Sequence, residues 1–148
     1  MSKNNIYPCL WFNQQAREAA DWYISIFENS ENMTDNGLVV IFQIKGTKFM
    51  ALNGGPEFQF NESISMVVNC ENQEEVDKYW NTLISNGGNE SQCGWLKDKF
   101  GVSWQIVPNE LGKWIGNPDP DIRNYAISAL MKMRKIIIED LKSPIKPN

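Results

Sequence analysis

Histidine, the side chain that most often carries acid–base catalysis, is absent from this 148-residue sequence. Cys9, Cys70 and Cys93 therefore have no imidazole to activate a thiolate, which argues against nucleophilic catalysis by any of them. Their odd number and the lack of a Cys-x-x-Cys spacing indicate neither a disulfide framework nor a thiolate zinc site. Lying on or beside strand-like runs, they suit the role of small buried hydrophobes. Glu57, between Pro56 and Phe58, is either a carboxylate at a cavity mouth, suited to acid–base work, or a solvated loop residue. Trp11, Phe58, Phe60, Trp95 and Trp104 are core residues by default, and their flat faces also suit stacking on a flat ligand in an apolar cleft. Asn53-Gly54-Gly55-Pro56 follows a strand-like run, as a nucleotide-cradling turn would. It leads toward another strand rather than a helix, so its glycines serve a tight crossing between two halves of the chain.

Composition narrows the classes further. Hydrophobic residues make up 42% and charged residues 22%, the balance of a globular chain long enough for one packed domain. The net charge of −4 argues against a nucleic-acid surface, and the one basic cluster, Lys132–Lys135 around Met133, reads as the solvated face of a helix. The polar stretch Met1–Tyr7 has no apolar core of a secretory signal, and runs such as Leu38–Phe42 are too short to cross a bilayer. A cytoplasmic location is the expectation.

The elements that position these residues come in two copies. Gln14–Phe27 and Gln73–Ser85 each carry one helical stripe: Ala19, Trp22, Tyr23, Ile26, Phe27 in the first, and Val76, Tyr79, Trp80, Leu83, Ile84 in the second. A shift of 57 residues superposes the two stripes, Trp22 onto Tyr79 and Tyr23 onto Trp80. The same shift lays the strand-like run Tyr7–Phe12 on Ile64–Asn69, with Asn13 and Asn72 as candidate helix caps. Strands follow each helix: Leu38–Ile44 and Lys48–Asn53, then Gln92–Lys97 and Val102–Val107. Gly46 and Gly101 each open a closing strand that carries an aromatic residue three along, Phe49 and Trp104. The segment Glu28–Gly37 is polar and turn-like, so the second strand of the first copy is expected to be short or missing. A tail helix starts at Asp119-Pro120 and runs along Ile122, Tyr125, Ala126, Ala129, Leu130 and Met133, followed by an extended Ile136–Ile138.

Several of these words are more specific than the pattern. Cys9-Leu10-Trp11-Phe12, Trp22-Tyr23-Ile24-Ser25-Ile26-Phe27 and Phe49-Met50-Ala51-Leu52-Asn53-Gly54-Gly55-Pro56-Glu57-Phe58 occur in order. They are followed by Val68-Asn69-Cys70, Gln92-Cys93-Gly94-Trp95-Leu96-Lys97-Asp98 and Gly101-Val102-Ser103-Trp104-Gln105-Ile106-Val107-Pro108. Together they resemble the PhnB-like, 3-demethylubiquinone-9 3-methyltransferase branch of the vicinal oxygen chelate (glyoxalase/bleomycin resistance/dioxygenase) superfamily, over residues 6–141. The resemblance implies homodimers and a divalent metal held by His, Glu or Gln on the first and last strands of each module, acting as a Lewis acid. At those positions this chain offers no histidine or carboxylate. Asn53, Ser65 and Gln105 are neutral and form a weak donor set for zinc, iron or a hard divalent ion.

The expectation is thus an α+β fold of two βαβββ modules forming a curved mixed sheet, residues 6–55 and 63–108, with a C-terminal helical extension over 111–141, all within one domain of 1–148. The functional expectation is a metal-independent small-molecule-binding protein without a cofactor. Trp11, Asn53, Glu57, Phe58, Trp95, Trp104 and Gln105 are the candidate ligand-binding residues, and no catalytic residue stands out. A superfamily enzyme and a non-catalytic dimeric scaffold are the alternatives.

Overall fold

The computed structural model describes residues 5–142. Met1–Asn4, part of the amino-terminal stretch discussed above, and residues 143–148, the end of the expected domain, lie outside the described residues. The chain divides into two compact units, Met1–Phe60 and Asn61–Asn148, and each is built on its own four-stranded mixed sheet.

The first unit runs β1 (Cys9–Phe12), α1 (Ala16–Ile26), β2 (Glu31–Asp35), β3 (Val39–Ile44) and β4 (Thr47–Asn53), in the sheet order β1-β4-β3-β2. β1 is parallel to β4, and the other pairs are antiparallel. Alternation along the strands sends Leu10, Phe12, Val40, Phe42, Phe49 and Ala51 to one face, where they are buried with Ala19, Ala20, Tyr23 and Ile26 of α1. Full burial of each large side chain contributes roughly 1.5–3 kcal/mol. Tyr23, Phe42 and Phe49 form a ladder, with ring centroids 6.4 and 5.5 Å apart.

The second strand of this unit is present and five residues long, correcting the reading of Glu28–Gly37 as turn. It was hidden because β2 is an edge strand with almost every residue exposed, so no apolar face marks it. A bulge between Asn32 and Thr34 also breaks the alternation. Two polar ties hold β2 to α1: Asn32 Nδ2 donates to Asp21 (2.6 Å), and Arg17 donates to Asp35 (3.0 Å).

The second unit runs β5 (Ser65–Cys70), α2 (Gln73–Leu83), β6 (Asn89–Glu90), β7 (Trp95–Lys97) and β8 (Ser103–Pro108), in the order β5-β8-β7-β6. The short second strand belongs here: β6 has two residues. Cys70, Leu96, Trp104, Ile106 and Pro108 are buried on the same side as Val76, Tyr79, Trp80 and Leu83 of α2. Asn72 caps α2 as expected, accepting from Glu75 N at 2.9 Å. Asn13 does not cap α1. Three residues separate β1 from α1 and two separate β5 from α2, and the longer loop passes through Gln14 at φ +62°. The cap comes instead from Asn53 at the end of β4, whose Oδ1 accepts from Ala16 N at 2.9 Å.

That extra loop residue also corrects the repeat. The 57-residue shift holds for the helices, since Ala16 and Gln73 both open them, but Phe12 corresponds to Cys70 as the last residue of its strand. A one-residue slip exchanges the faces of a strand. Trp11 therefore matches Asn69 on the face away from the helix, not Val68.

The tail is helical in shorter pieces than the sequence pattern implies, and its long helix ends at Leu130, before Met133 and the Lys132–Lys135 cluster. A short α3 (Leu111–Ile115) precedes α4 (Pro120–Leu130), which starts as expected with Asp119 accepting from Asp121 N (2.9 Å) and Pro120 first. Only Ala126 of its apolar stripe is fully buried. The extended Ile136–Ile138 stops at Ile137, and Ile138–Leu141 form a 3-10 turn. Gln73 grips this segment: its Nε2 donates to Ile136 O (3.0 Å) and its Oε1 accepts from Ile138 N (2.8 Å). Ile136 packs so closely on Gly94 that a Cβ there would sit 2.7 Å from its Cδ1.

Candidate functional site

Each sheet has one face covered by its helix and one open face, on which most side chains are part-exposed and Ser103 is buried. On the first sheet the open face carries Cys9 and Trp11 of β1, Lys48, Met50 and Leu52 of β4, and Val39, Ile41 and Gln43 of β3. On the second it carries Ser65, Val67 and Asn69 of β5, Ser103, Gln105 and Val107 of β8, and Trp95 and Lys97 of β7.

Of the residues singled out from sequence, Trp95 and Gln105 come together. They are direct partners across β7 and β8, and Gln105 Nε2 donates to Ser65 Oγ on β5 at 2.9 Å. This gives one half-buried indole beside a braced side-chain amide, with Val67 exposed next to them. Trp11 stands on the open face of the other sheet. Its Nε1 donates to Gly55 O (2.9 Å), and its ring meets Phe58 edge-on with centroids 4.8 Å apart. Gly54 is required there, because a Cβ would lie 2.3 Å from the Trp11 ring. The two glycines thus enclose an indole, and no helix follows them before β5.

The other candidates are placed differently. Both polar atoms of Asn53 are engaged, one on the α1 terminus and one donating to Gly37 O at 3.0 Å. Trp104 lies on the α2 side, 3% exposed, with its Nε1 donating to Asp98 at 2.8 Å. Phe58 is 64% exposed, and Glu57 is exposed. Sequence reading missed Asp98, a buried carboxylate that also accepts from Phe100 N and Val102 N and so builds the turn into β8. An Asp followed three residues later by a Gly is the signal that could have found it. It also missed Ser103 and Lys97, register partners on the open face, and the ion pair that Lys97 makes with Glu62.

The thiols differ by place. Burial, reinforced by the nearby Glu75 carboxylate, pushes Cys70 up to about 12, and partial desolvation also raises Cys9, which is exposed at the sheet edge. Neither Cys70 nor Cys9 is thereby a reactive thiolate. As for a metal, the first- and last-strand positions on the open faces are Cys9, Trp11, Lys48, Met50, Leu52, Ser65, Val67, Asn69, Ser103, Gln105 and Val107. A weakly acidic thiol, an amine, amides and hydroxyls do not make the imidazole-and-carboxylate shell of a divalent ion. Among the described residues no three His, Cys, Asp or Glu side chains are grouped to hold one.

A parallel β1–β4 pair, a crossing helix and two further antiparallel strands, made twice, define the fold of the vicinal oxygen chelate superfamily, which includes glyoxalase, bleomycin resistance and fosfomycin resistance proteins. Residues 4–107 match the 3-demethylubiquinone-9 3-methyltransferase family, and the chain belongs to that PhnB-like family. It is 30% identical to the PhnB protein of Bacillus cereus, named for the same methyltransferase, covering 70% of this chain and 98% of that one with a TM-score of 0.64. The fold is shared with the fosfomycin resistance protein FosX of Listeria monocytogenes, solved with Mn(II) and sulfate (15% identity, 78% and 98% covered, TM-score 0.57). It is shared too with a glyoxalase/bleomycin resistance protein of Albidiferax ferrireducens (12% identity, 72% and 99% covered, TM-score 0.53). No curated protein matches the chain. No helix among the described residues is long and apolar enough to cross a membrane.

Proposed function

We propose that this chain is a metal-independent small-molecule-binding protein of the PhnB-like family, using the open faces of its sheets and no cofactor. The observation that carries the reading is the Trp95–Gln105–Ser65 group, an indole beside an amide fixed by a hydroxyl. An aromatic wall supplies contact area, and a positioned polar group supplies orientation, the usual makings of a ligand surface. Trp11, backed by Phe58 and enclosed by Gly54 and Gly55, offers a comparable indole on the first sheet. The weak donor set at the first- and last-strand positions supports binding without a metal ion. Asn53 and Trp104 belong in this reading as supports of the sheets rather than ligand contacts, and Glu57 as a solvated loop residue. A cytoplasmic homodimer that binds neither nucleic acid nor membrane completes the proposal, consistent with the charge of −4.

A thermal-shift screen of aromatic acids, quinones and antibiotics, run with and without a chelator, tests it. Ligands that bind the folded state raise the midpoint, and the same stabilising compounds are expected in both conditions. Stabilisation that vanishes with chelator, or metal-dependent turnover of an α-ketoaldehyde or catechol, would favour the enzyme alternative.

A further inference from the structure

We propose that a cavity between β7, β8 and the loop before β5 binds a small carboxylic acid, whose place the Glu62 carboxylate holds in the free protein. This deepens the small-molecule reading above and rests on it. The cavity measures about 160 Å³ and is lined by Glu62, Glu90, Ser91, Trp95, Lys97 and Ser103, among others. That is close to the roughly 150 Å³ that holds benzene in an engineered apolar cavity of another protein, so one small ring fits.

The donors decide the ligand's charge. Ser103 is 1% exposed, and its Oγ has no hydrogen-bond partner. A buried hydroxyl in that state costs free energy that a ligand acceptor would recover. Lys97 is its direct partner across the strands, so the two side chains stand on one face about 5 Å apart at Cβ. The Lys97 ammonium presents three donors and no acceptor. Its ion-pair partner, Glu62, comes from an exposed loop with 64% of its side chain in solvent. Such a pair is weak and exchangeable. Glu90, the other carboxylate, is already occupied: it accepts from Trp80 Nε1 (3.0 Å) and faces Arg134 at 3.9 Å. The unspent capacity is therefore two donors at one end and the Trp95 indole along the wall. A carboxylate accepting from Lys97 and Ser103, with an apolar body against Trp95, satisfies all three, and Glu62 swings out as it enters.

The test is a ¹⁵N NMR titration of the full chain with benzoate, benzyl alcohol and benzylamine. Benzoate is expected to shift the Trp95 indole and Ser103 amide saturably, with at least tenfold weaker binding of the other two. Lys97→Met should abolish the benzoate shift and Lys97→Arg should keep it. Glu62→Gln, on the exposed loop and safe for folding, should tighten benzoate about two- to fivefold by removing the internal competitor. Equal binding of benzyl alcohol or benzylamine, or benzoate binding untouched by Lys97→Met and Glu62→Gln, overturns the carboxylate assignment while leaving the small-molecule reading standing. No shift with any of the three compounds also overturns it, and the small-molecule reading falls with it only if the thermal-shift screen is equally silent.

Discussion

Gln105 of β8 faces Trp95 of β7 on one side and Val67 of β5 on the other, and it reaches past Val67 to hydrogen-bond Ser65 two residues earlier. A diagonal bond of this kind fixes the amide's orientation across β8 and β5. It leaves the indole and an exposed valine as the apolar surround of a polar point.

Gly54→Ala should be costly despite the small change. The added methyl would meet the Trp11 ring at 2.3 Å, and overpacking of this kind costs about 1–3 kcal/mol. Urea denaturation reads the loss. The same substitution in a Trp11→Leu background should cost much less, and an equal cost in both backgrounds would dissociate Gly54 from the indole.

The helix caps give an unequal pair of mutants. Asn53→Ala removes the acceptor for Ala16 N and the donor to Gly37 O, and loss of such a cap costs about 0.5–2 kcal/mol. Asn13→Ala, exposed and without a capping bond to α1, should change the denaturation midpoint little. Reversed magnitudes would restore the cap to Asn13.

Asp77 ties α2 to the tail, and its acid response has a defined sign. Hydrogen bonds from Gln73 and from Lys135, which lies 2.9 Å away, hold its carboxyl below the usual 3.8. A depressed carboxylate contributes stability that is fully present above its unfolded value and is lost as pH falls through the folded one. The urea midpoint of the parent should therefore fall more steeply below about pH 4 than that of Asp77→Asn. Parallel acid limbs would contradict this.

What the sequence disclosed follows from which residues carry a period. The α1 and α2 stripes were legible because paired aromatics, Trp22-Tyr23 and Tyr79-Trp80, fall at helical spacing and are mostly buried. β2 was not legible, because a bulged edge strand with solvent on both sides has no apolar alternation to show. The face parity of β1 against β5 was misread because it depends on one extra loop residue, which sequence superposition absorbs silently. Trp95 and Gln105 were found as residue types, but Ser103, Lys97 and Glu62 acquire meaning only through strand register and a loop's return. Asn53 shows the converse: a polar side chain beside glycines looks like a ligand contact, whereas helix capping takes it.

The most direct test of metal-independent binding is to titrate ¹⁵N-labelled protein with one equivalent of paramagnetic Mn(II) and follow the Trp95 indole and the Gln105 side-chain amide. Both lines are expected to stay sharp, with any weak broadening spread over exposed carboxylates, and benzoate is expected still to shift the indole in the presence of chelator. Selective, saturable broadening of Trp95 and Gln105 by Mn(II), with ligand shifts that appear only when the ion is present, would contradict it.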